Sequence, residues 1–230
     1  MTHSLGIVIP CYNEADSLAE LVSRLSNPEL QCIEFVLVDN GSTDETLNIL
    51  NDLNLPKNID WIKIPFNKGY GYGILMGLKE LHTDFLGWTH ADLQTDPTDL
   101  LLFLKHLNGN AEFLKGRRRG RSKSDRFFTA GMSLSISLLF ARLLRDINGQ
   151  PTVLSRRLYE SWELPPNDFG LDLFSYVHAL RSGAPVVRID VNFGKRVYGS
   201  SSWNAGFVSR LRFIGRTLTL AIKLRLSYRA

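Results

Sequence analysis

Three short polar strings contain the residues of this chain that are best suited to chemistry, and each directly follows an apolar run typical of a strand. They are Pro10-Cys11-Tyr12-Asn13-Glu14, Val38-Asp39-Asn40-Gly41-Ser42-Thr43-Asp44 and His90-Ala91-Asp92-Leu93-Gln94-Thr95-Asp96-Pro97. Their carboxylates and amides can accept hydrogen bonds from a base or ribose and can ligate a hard divalent cation. Together the strings predict a site for a nucleotide sugar.

The third string has the spacing of a metal site. Residues 90, 92 and 94 alternate at a strand end, so their side chains are expected to point roughly the same way. A divalent cation that bridges two phosphates prefers oxygen ligands, so we expect Asp92 and the amide oxygen of Gln94 to hold Mg²⁺ or Mn²⁺. His90 could be a third ligand, a direct donor to the diphosphate, or a structural residue.

The first two strings supply groups that could bind a nucleoside. Tyr12 offers a flat face to a base or ribose, while Glu14 and Asp39 offer oxygens that accept from base N–H groups or ribose hydroxyls. The same strings could instead form only a turn and a helix cap.

The elements around the strings predict how they come together. The preceding runs, residues 5–9, 33–38 and 85–89, are short, rich in β-branched and aromatic residues, and separated by segments of helical periodicity. This order predicts an α/β fold with a mostly parallel central sheet flanked by helices. Ligands of open α/β sheets bind beyond the carboxyl ends of the strands, so the strings should converge there.

Length and composition limit the possibilities further. A chain of 230 residues fits one sizeable α/β domain. The two cysteines, Cys11 and Cys32, are too few for a disulfide framework, and no signal peptide is predicted, so a cytoplasmic protein is expected. No apolar run reaches the roughly 18 residues of a membrane span.

The net charge of +4 is unevenly distributed. Basic residues concentrate in residues 115–126 and again in residues 210–229, and no acidic residue follows Asp190. Such clusters predict polyanionic partners, although a solvated loop and a solvated helix face are the alternative. Nucleic acid is not the expected partner, because aromatic platforms are not interleaved with these basic residues.

The C-terminal segment, residues 206–230, has the pattern of a basic amphipathic helix. One stripe of a helical wheel holds Phe207, Leu211, Ile214, Leu218 and Ile222, and the opposite side holds Arg212, Arg216 and Lys223. The helix could lie on an anionic membrane surface or dock on its own domain. Residues 127–144 are also helical and apolar, which suits either a core helix or a lipid-facing one.

A larger set of motifs carries a resemblance to a known family. The three strings are joined by Asn67-Lys68-Gly69, Gly116-Arg117-Arg118 and Arg196-Val197-Tyr198-Gly199-Ser200-Ser201. In this order the motifs resemble the inverting GT-A glycosyltransferases of family 2, over about residues 5–203. The most similar branch is that of dolichol-phosphate mannose synthase and bacterial polyprenyl-phosphate glycosyltransferases.

The resemblance implies roles for individual residues. It assigns nucleotide contacts to Pro10, Tyr12, Glu14, Val38, Asp39 and Asn40, and metal and diphosphate contacts to His90, Ala91, Asp92 and Gln94. Arg118 and Arg196 match arginines that hold the donor or acceptor phosphates. The chain departs from the family pattern at Asn40 and His90, which are usually aspartates, and at Ser202, usually a phosphate-binding lysine.

The implied activity is inverting transfer of a sugar from a UDP- or GDP-linked donor to a polyprenyl phosphate, at the inner face of the membrane by a peripherally associated protein. Residues 1–115 would form the nucleotide-binding half of the GT-A domain and residues 116–205 the acceptor half.

Two other functions stay open. The acceptor could be a sugar or glycolipid hydroxyl in cell-envelope polysaccharide synthesis, with Asp168 or Asp172, one helical turn apart, as the general base. The chain could also bind nucleotide sugars with little catalysis.

Overall fold

A seven-stranded sheet forms the centre of the computed structural model, which describes residues 3–120, 123–194, 196, 198 and 207–227. Only the backbone is described for residues 123–128, 207–211, 213 and 227. The strands are β1 (Leu5–Cys11), β2 (Ile33–Asn40), β3 (Ile59–Ile64), β4 (Phe85–Trp88), β5 (Phe113–Arg119), β6 (Thr152–Ser155) and β7 (Val186–Asn192). The helices are α1 (Ala15–Leu25), α2 (Thr46–Asp52), α3 (Tyr70–Glu80), α4 (Leu100–Leu107), α5 (Lys123–Phe140), α6 (Arg156–Glu160), α7 (Leu171–Arg181) and α8 (Phe207–Ser227).

The predicted mostly parallel α/β sheet is confirmed. The strand order is β3-β2-β1-β4-β6-β5-β7, and only β6 runs antiparallel to its neighbours. Leu5 of β1 pairs in register with Ile33 of β2 on one side and with Phe85 of β4 on the other. The carboxyl ends of these three adjacent strands therefore lie side by side, each followed by one of the polar strings.

Alternation along the strands divides the core into two layers. Ile7 and Ile9 of β1 lie in the layer that also contains residues of α1, α2 and α4, whereas Val8 lies in the layer that contains residues of α3, α5, α6, α7 and α8. In α1, residues Leu18, Leu21, Val22 and Leu25 are buried, as the helical spacing of its apolar residues predicts.

The first basic cluster, residues 115–126, is not the solvated loop that was its alternative interpretation, because its first half is a strand. Strand β5 continues to Arg119, because it pairs in parallel with β7 along its whole length. The Asp190 carboxylate of β7 forms ion pairs with Arg117 and with Arg119, the latter at 2.9 Å. A negative charge on the neighbouring strand therefore lies beside both guanidinium groups. Strands on both sides of residue 115 thus belong to one sheet. The division into a nucleotide-binding half and an acceptor half stays a prediction.

Helix α8 packs against α5 and α7, so the predicted apolar stripe is not wholly available to a membrane. Ile214 and Leu218 pack on the core, and Ala221 is buried, whereas Ile222 and Leu226 are exposed. The side chains of Phe207 and Leu211 lie outside the described residues. In the described part of the chain, no helix has the length and apolar character needed to cross a membrane.

Candidate active site

Hydrogen bonds join the first two polar strings at the ends of β1 and β2. Asn13 Oδ1 accepts from the Thr43 amide at 2.8 Å, and the Asn13 amide donates to Ser42 Oγ at 3.0 Å. The Glu14 amide donates to Thr46 Oγ1 at 3.0 Å. The convergence predicted for these two strings is therefore present. The hydrogen bonds of Ser42 and Thr43 with Asn13 keep the two strings together.

The residues assigned to the nucleotide differ in what they can offer a ligand. Tyr12 is exposed and Pro10 is half-buried, so both can meet a nucleoside. Val38 and Ala91 are buried in the core, so only their backbone could meet one. Asp39 is buried, and its Oδ1 accepts from the Ser42 amide at 3.0 Å.

Asn40 faces α3. It is buried, and its amide nitrogen donates to the Gly69 carbonyl at 3.0 Å, just before the first turn of α3. Strand alternation points Asn40 to the same side as Val38, which explains this burial. Only the amide nitrogen is engaged and Oδ1 has no hydrogen-bond partner among the described residues, so the nucleotide contact expected at this position stays a prediction.

Arg196 lies between two carboxylates of the site. Its Nη2 is 3.0 Å from Glu14 Oε1 and 3.9 Å from Asp92 Oδ2. Burial raises the pKa of Glu14, while a hydrogen bond from Ser17 Oγ and the charge of Arg196 act in the opposite direction. The guanidinium therefore couples the end of β1 to the polar string after β4.

The predicted metal ligands form an open set of donors. Asp92 Oδ1 accepts from the Gln94 amide at 3.1 Å, and Gln94 Nε2 donates to the Gly194 carbonyl at 3.1 Å, which leaves the Gln94 side-chain oxygen for a ligand. Over the described residues, no three His, Cys, Asp or Glu side chains form a cluster that could hold a metal. Strand β4 ends at Trp88 and residues 91–94 form a bend, so the alternation expected of residues 90, 92 and 94 is absent, and joint ligation of a cation by His90, Asp92 and Gln94 stays a prediction.

The described residues Phe193, Gly194 and Tyr198 contact the third polar string or α1. Phe193 forms a bridge with Thr95, and the Gly194 amide donates to the Gln94 carbonyl at 2.7 Å. Tyr198 donates its hydroxyl to Glu20 of α1 at 2.8 Å. These contacts place Arg196 over the site, although it is far from Glu14 in sequence.

Arg118 is held by one carboxylate. Its backbone amide and its Nε donate to Asp146 at 2.9 Å each, and its Nη2 contacts the same side chain. The guanidinium carbon lies 5.2 Å from the centre of the Phe193 ring. Arg118 therefore lies beside the segment that carries Arg196, and the turn at Asp146 orients it.

Asp168 and Asp172 do not share a helix face, because α7 begins only at Leu171. Asp168 is exposed, and its Oδ1 accepts from the Gly170 amide at 2.8 Å. Asp172 is only 2% exposed, which corrects its expected role as a general base, since no acceptor could reach it. Of these two carboxylates, that of Asp168 is the one exposed to solvent.

Asp172 belongs to a buried polar cluster. Its Oδ1 lies 3.4 Å from the Lys115 Nζ and accepts from Trp88 Nε1 at 3.3 Å, while Gln150 Nε2 donates to Oδ2 at 3.4 Å. Burial lowers the pKa of Lys115 to about 8, because its ammonium is fully removed from water, while Asp172 acts in the opposite direction. Gln150 also contacts the Tyr70 hydroxyl.

This cluster predicts that Asp172 is needed for stability. Asp172→Ala would leave the Lys115 ammonium buried without its carboxylate, so the free energy of unfolding should fall by about 3–5 kcal/mol. Asp168→Ala, the matched control, loses one exposed hydrogen bond and should cost about 1 kcal/mol or less. Urea unfolding measures both, and equal stability of the two variants would refute the structural role of Asp172.

Sequence reasoning missed several residues of the site. Tyr70, Lys115 and Gln150 form or contact the cluster, and Phe169 stacks on Tyr70. Tyr70 follows the Asn67-Lys68-Gly69 motif, so its position could have signalled a role. Lys115 gives no such signal, because it looks like one more member of a basic run. Ser202 lies outside the described residues.

Relatives in sequence identify the family of this chain. A family model described as glycosyl transferase family 2 matches residues 6–156. A dolichol-phosphate mannosyltransferase of Pyrococcus furiosus is 26% identical over 208 residues, covering 86% of this chain and 58% of the relative. An undecaprenyl-phosphate 4-deoxy-4-formamido-L-arabinose transferase of Enterobacter sp. (strain 638) is 34% identical over 103 residues, covering 43% of this chain and 32% of the relative. The chain thus spans about a third to three fifths of the length of these two relatives.

Solved structures share the fold. Glucosyl-3-phosphoglycerate synthase from Mycobacterium tuberculosis, in complex with Mn²⁺, uridine diphosphate and glucosyl-3-phosphoglycerate, superposes with a TM-score of 0.70 at 15% identity. The superposition covers 97% of this chain and 80% of the synthase. The fold is the GT-A fold expected from the motifs. Because the family model covers most of the sheet and all three polar strings, the chain belongs to glycosyl transferase family 2 and is an enzyme of that family.

Proposed function

We propose that this glycosyltransferase moves a sugar from a nucleoside-diphosphate sugar to the phosphate of a polyprenyl lipid. The observation that carries the proposal is the position of Arg196 beside Asp92, at the meeting point of three strand ends. A carboxylate that can hold a cation and a guanidinium nearby suit a diphosphate leaving group. The names of the two sequence relatives, which include undecaprenyl phosphate and dolichol phosphate, support the acceptor.

The chemistry follows from the charges. An oxygen of the acceptor phosphate attacks the anomeric carbon in line, the bond to the diphosphate breaks, and the configuration inverts. The acceptor is already anionic at neutral pH, so this step needs no general base. Arg196, with Arg118 beside Phe193, balances the charge that develops on the leaving group. Bound through Asp92, His90 and Gln94, a divalent cation would supply further electrostatic stabilisation.

The metal preference of the site depends on His90 in this proposal. Imidazole binds transition metals better than it binds Mg²⁺, so Mn²⁺ should support more activity than Mg²⁺, and His90→Asp should shift the preference toward Mg²⁺. Initial rates across a titration of each metal measure the effect. Identical metal profiles of the two proteins would show that His90 does not ligate the cation.

A second candidate acceptor is a hydroxyl group. The observation that favours it is Asp168, an exposed carboxylate whose backbone lies close to the first turn of α3. If Asp168 is the base, Asp168→Asn should abolish transfer to the hydroxyl. A phosphate acceptor predicts that this variant stays active.

The proposed location is the inner surface of the membrane. Arg212, Arg216 and Lys223 of α8 are exposed, and Ile222 and Leu226 are exposed apolar residues of the same helix. Helix α5, against which α8 packs, adds Leu134 and Leu138, the latter 75% exposed. Each basic residue near an anionic surface contributes about 1 kcal/mol, which suits reversible attachment of a peripheral, cytoplasmic protein.

Vesicle sedimentation tests this location. Binding should grow with the content of anionic lipid and weaken with salt, and Ile222→Asp combined with Leu226→Asp should reduce it by about tenfold or more. Leu218 is unsuitable for this test, because it packs on the core. Leu102→Asp on α4, in the opposite layer, is the control. Undiminished sedimentation of the double variant would contradict attachment through α8.

A further inference from the structure

The loop between α6 and α7, residues 161–170, carries two exposed apolar side chains, of which Phe169 lies beside the site. Leu164 is 96% exposed and has a backbone φ of 46°, a conformation that leucine rarely adopts, and Phe169 is 49% exposed. We infer that this loop binds the first isoprene units of the polyprenyl-phosphate acceptor, an inference that rests on the proposed function.

Close backbone approach holds the loop against α3. The Asn167 carbonyl accepts from the Tyr72 amide at 2.9 Å. A Cβ atom at Gly69 would lie 2.5 Å from the Asn167 carbonyl oxygen, and one at Gly71 would lie 2.6 Å from the Asp168 carbonyl oxygen. A side chain at either glycine would displace the loop. The absence of side chains at these positions therefore lets the loop lie against the first turn of α3.

Aromatic rings connect the loop to the polar strings. Phe169 stacks on Tyr70 with centroids 4.6 Å apart and an angle of 10° between the planes, and the centroid of Tyr70 is 5.8 Å from that of His90. The Tyr70 hydroxyl contacts Gln150, which fixes the ring to the buried cluster around Asp172. A fixed row of rings thus leads from exposed apolar surface to the proposed phosphate and metal residues.

The other side of the loop meets α8. A Cβ atom at Gly170 would lie 2.0 Å from Leu220 Cδ2, so this helix packs directly against the loop. The loop therefore lies between the proposed membrane helix and the site. A ligand with an anionic head at His90 and Arg196 and an apolar tail over Phe169 and Leu164 matches this change in polarity.

Short, water-soluble acceptors test the inference without a membrane. Wild type should have a lower KM for farnesyl phosphate than for dimethylallyl phosphate, because the longer chain covers more of the loop. Leu164→Ser and Phe169→Ser should each raise the KM for farnesyl phosphate by about tenfold, raise the KM for dimethylallyl phosphate, which has a single isoprene unit, by less, and leave the Kd for the nucleotide unchanged. Leu102→Ser on α4 is the control for loss of an exposed leucine.

The outcomes separate the two proposals. Unchanged KM values in both variants, with chain-length dependence in wild type, would place the lipid tail elsewhere and overturn the inference while the function stands. An effect of Phe169→Ser on the KM of the nucleotide sugar alone would assign the ring to the donor and also overturn it. If wild type transfers sugar to no prenyl phosphate, the proposed function itself fails.

Discussion

Asp92→Ala should lose turnover by about a thousandfold while the protein stays folded. Asp92 is the carboxylate of the predicted ligand set, and it lies next to Arg196 in the bend that follows β4. Without it, a divalent cation would lose its one anionic protein ligand and the diphosphate would leave without that stabilisation. Initial rates at saturating donor and acceptor, together with thermal unfolding, measure the effect.

Asp96→Ala is the matched control for Asp92. Asp96 is close in sequence, but its Oδ1 accepts from the Thr98 amide at 2.8 Å and its Oδ2 lies 3.5 Å from Arg24, so it caps a short helix. Its loss should affect stability slightly and turnover little. Full activity of the Asp92 variant, or of wild type in excess chelator, would refute the metal assignment.

Arg196→Ala should lower kcat by about a hundredfold, because the charge that develops on the leaving diphosphate loses its nearest guanidinium. Arg196→Lys should recover part of this loss, since lysine keeps the charge but not the two-pronged geometry. Steady-state rates and nucleotide affinities of the two variants measure the effect. Arg24→Ala, which removes exposed pairs with Glu20 and Asp96, is the control.

A double variant distinguishes catalysis from simple neutralisation of Glu14. If Arg196 only compensates the Glu14 carboxylate, Glu14→Gln combined with Arg196→Ala should restore activity, because the carboxylate charge disappears along with its partner. A direct role on the phosphates predicts that the double variant stays as slow as Arg196→Ala. Wild-type kcat in Arg196→Ala would contradict both explanations.

The sequence predicted the features that depend on local pattern. Strands β1, β2 and β4 follow from short runs of β-branched and aromatic residues, and the polar strings at their ends converge because parallel strands end at one edge of the sheet. The burial of Leu18, Leu21 and Leu25 follows from helical spacing.

The errors arise where a distant partner decides the role of a residue. Asp172 looked like an accessible base, but its partner Lys115 is 57 residues away and no local spacing indicates a buried pair. The phosphate role of Arg118 stays a prediction, but the sequence did not indicate that Asp146, 28 residues away, holds its guanidinium. Docking of α8 on its own domain was one of the two alternatives that the sequence left open, and packing on α5 and α7 buries part of Ile214 and Leu218 while Ile222 stays exposed.

Transfer of labelled sugar to undecaprenyl phosphate tests the central claim most directly. A panel of UDP- and GDP-linked sugars would be incubated with the protein, Mn²⁺ or Mg²⁺ and the lipid, with Asp92→Ala as the blank. We predict that one donor gives label in the lipid fraction, as a lipid-phosphate sugar of inverted anomeric configuration. Absence of lipid-linked label with every donor, alongside transfer to a hydroxyl acceptor that requires Asp168, would contradict the account.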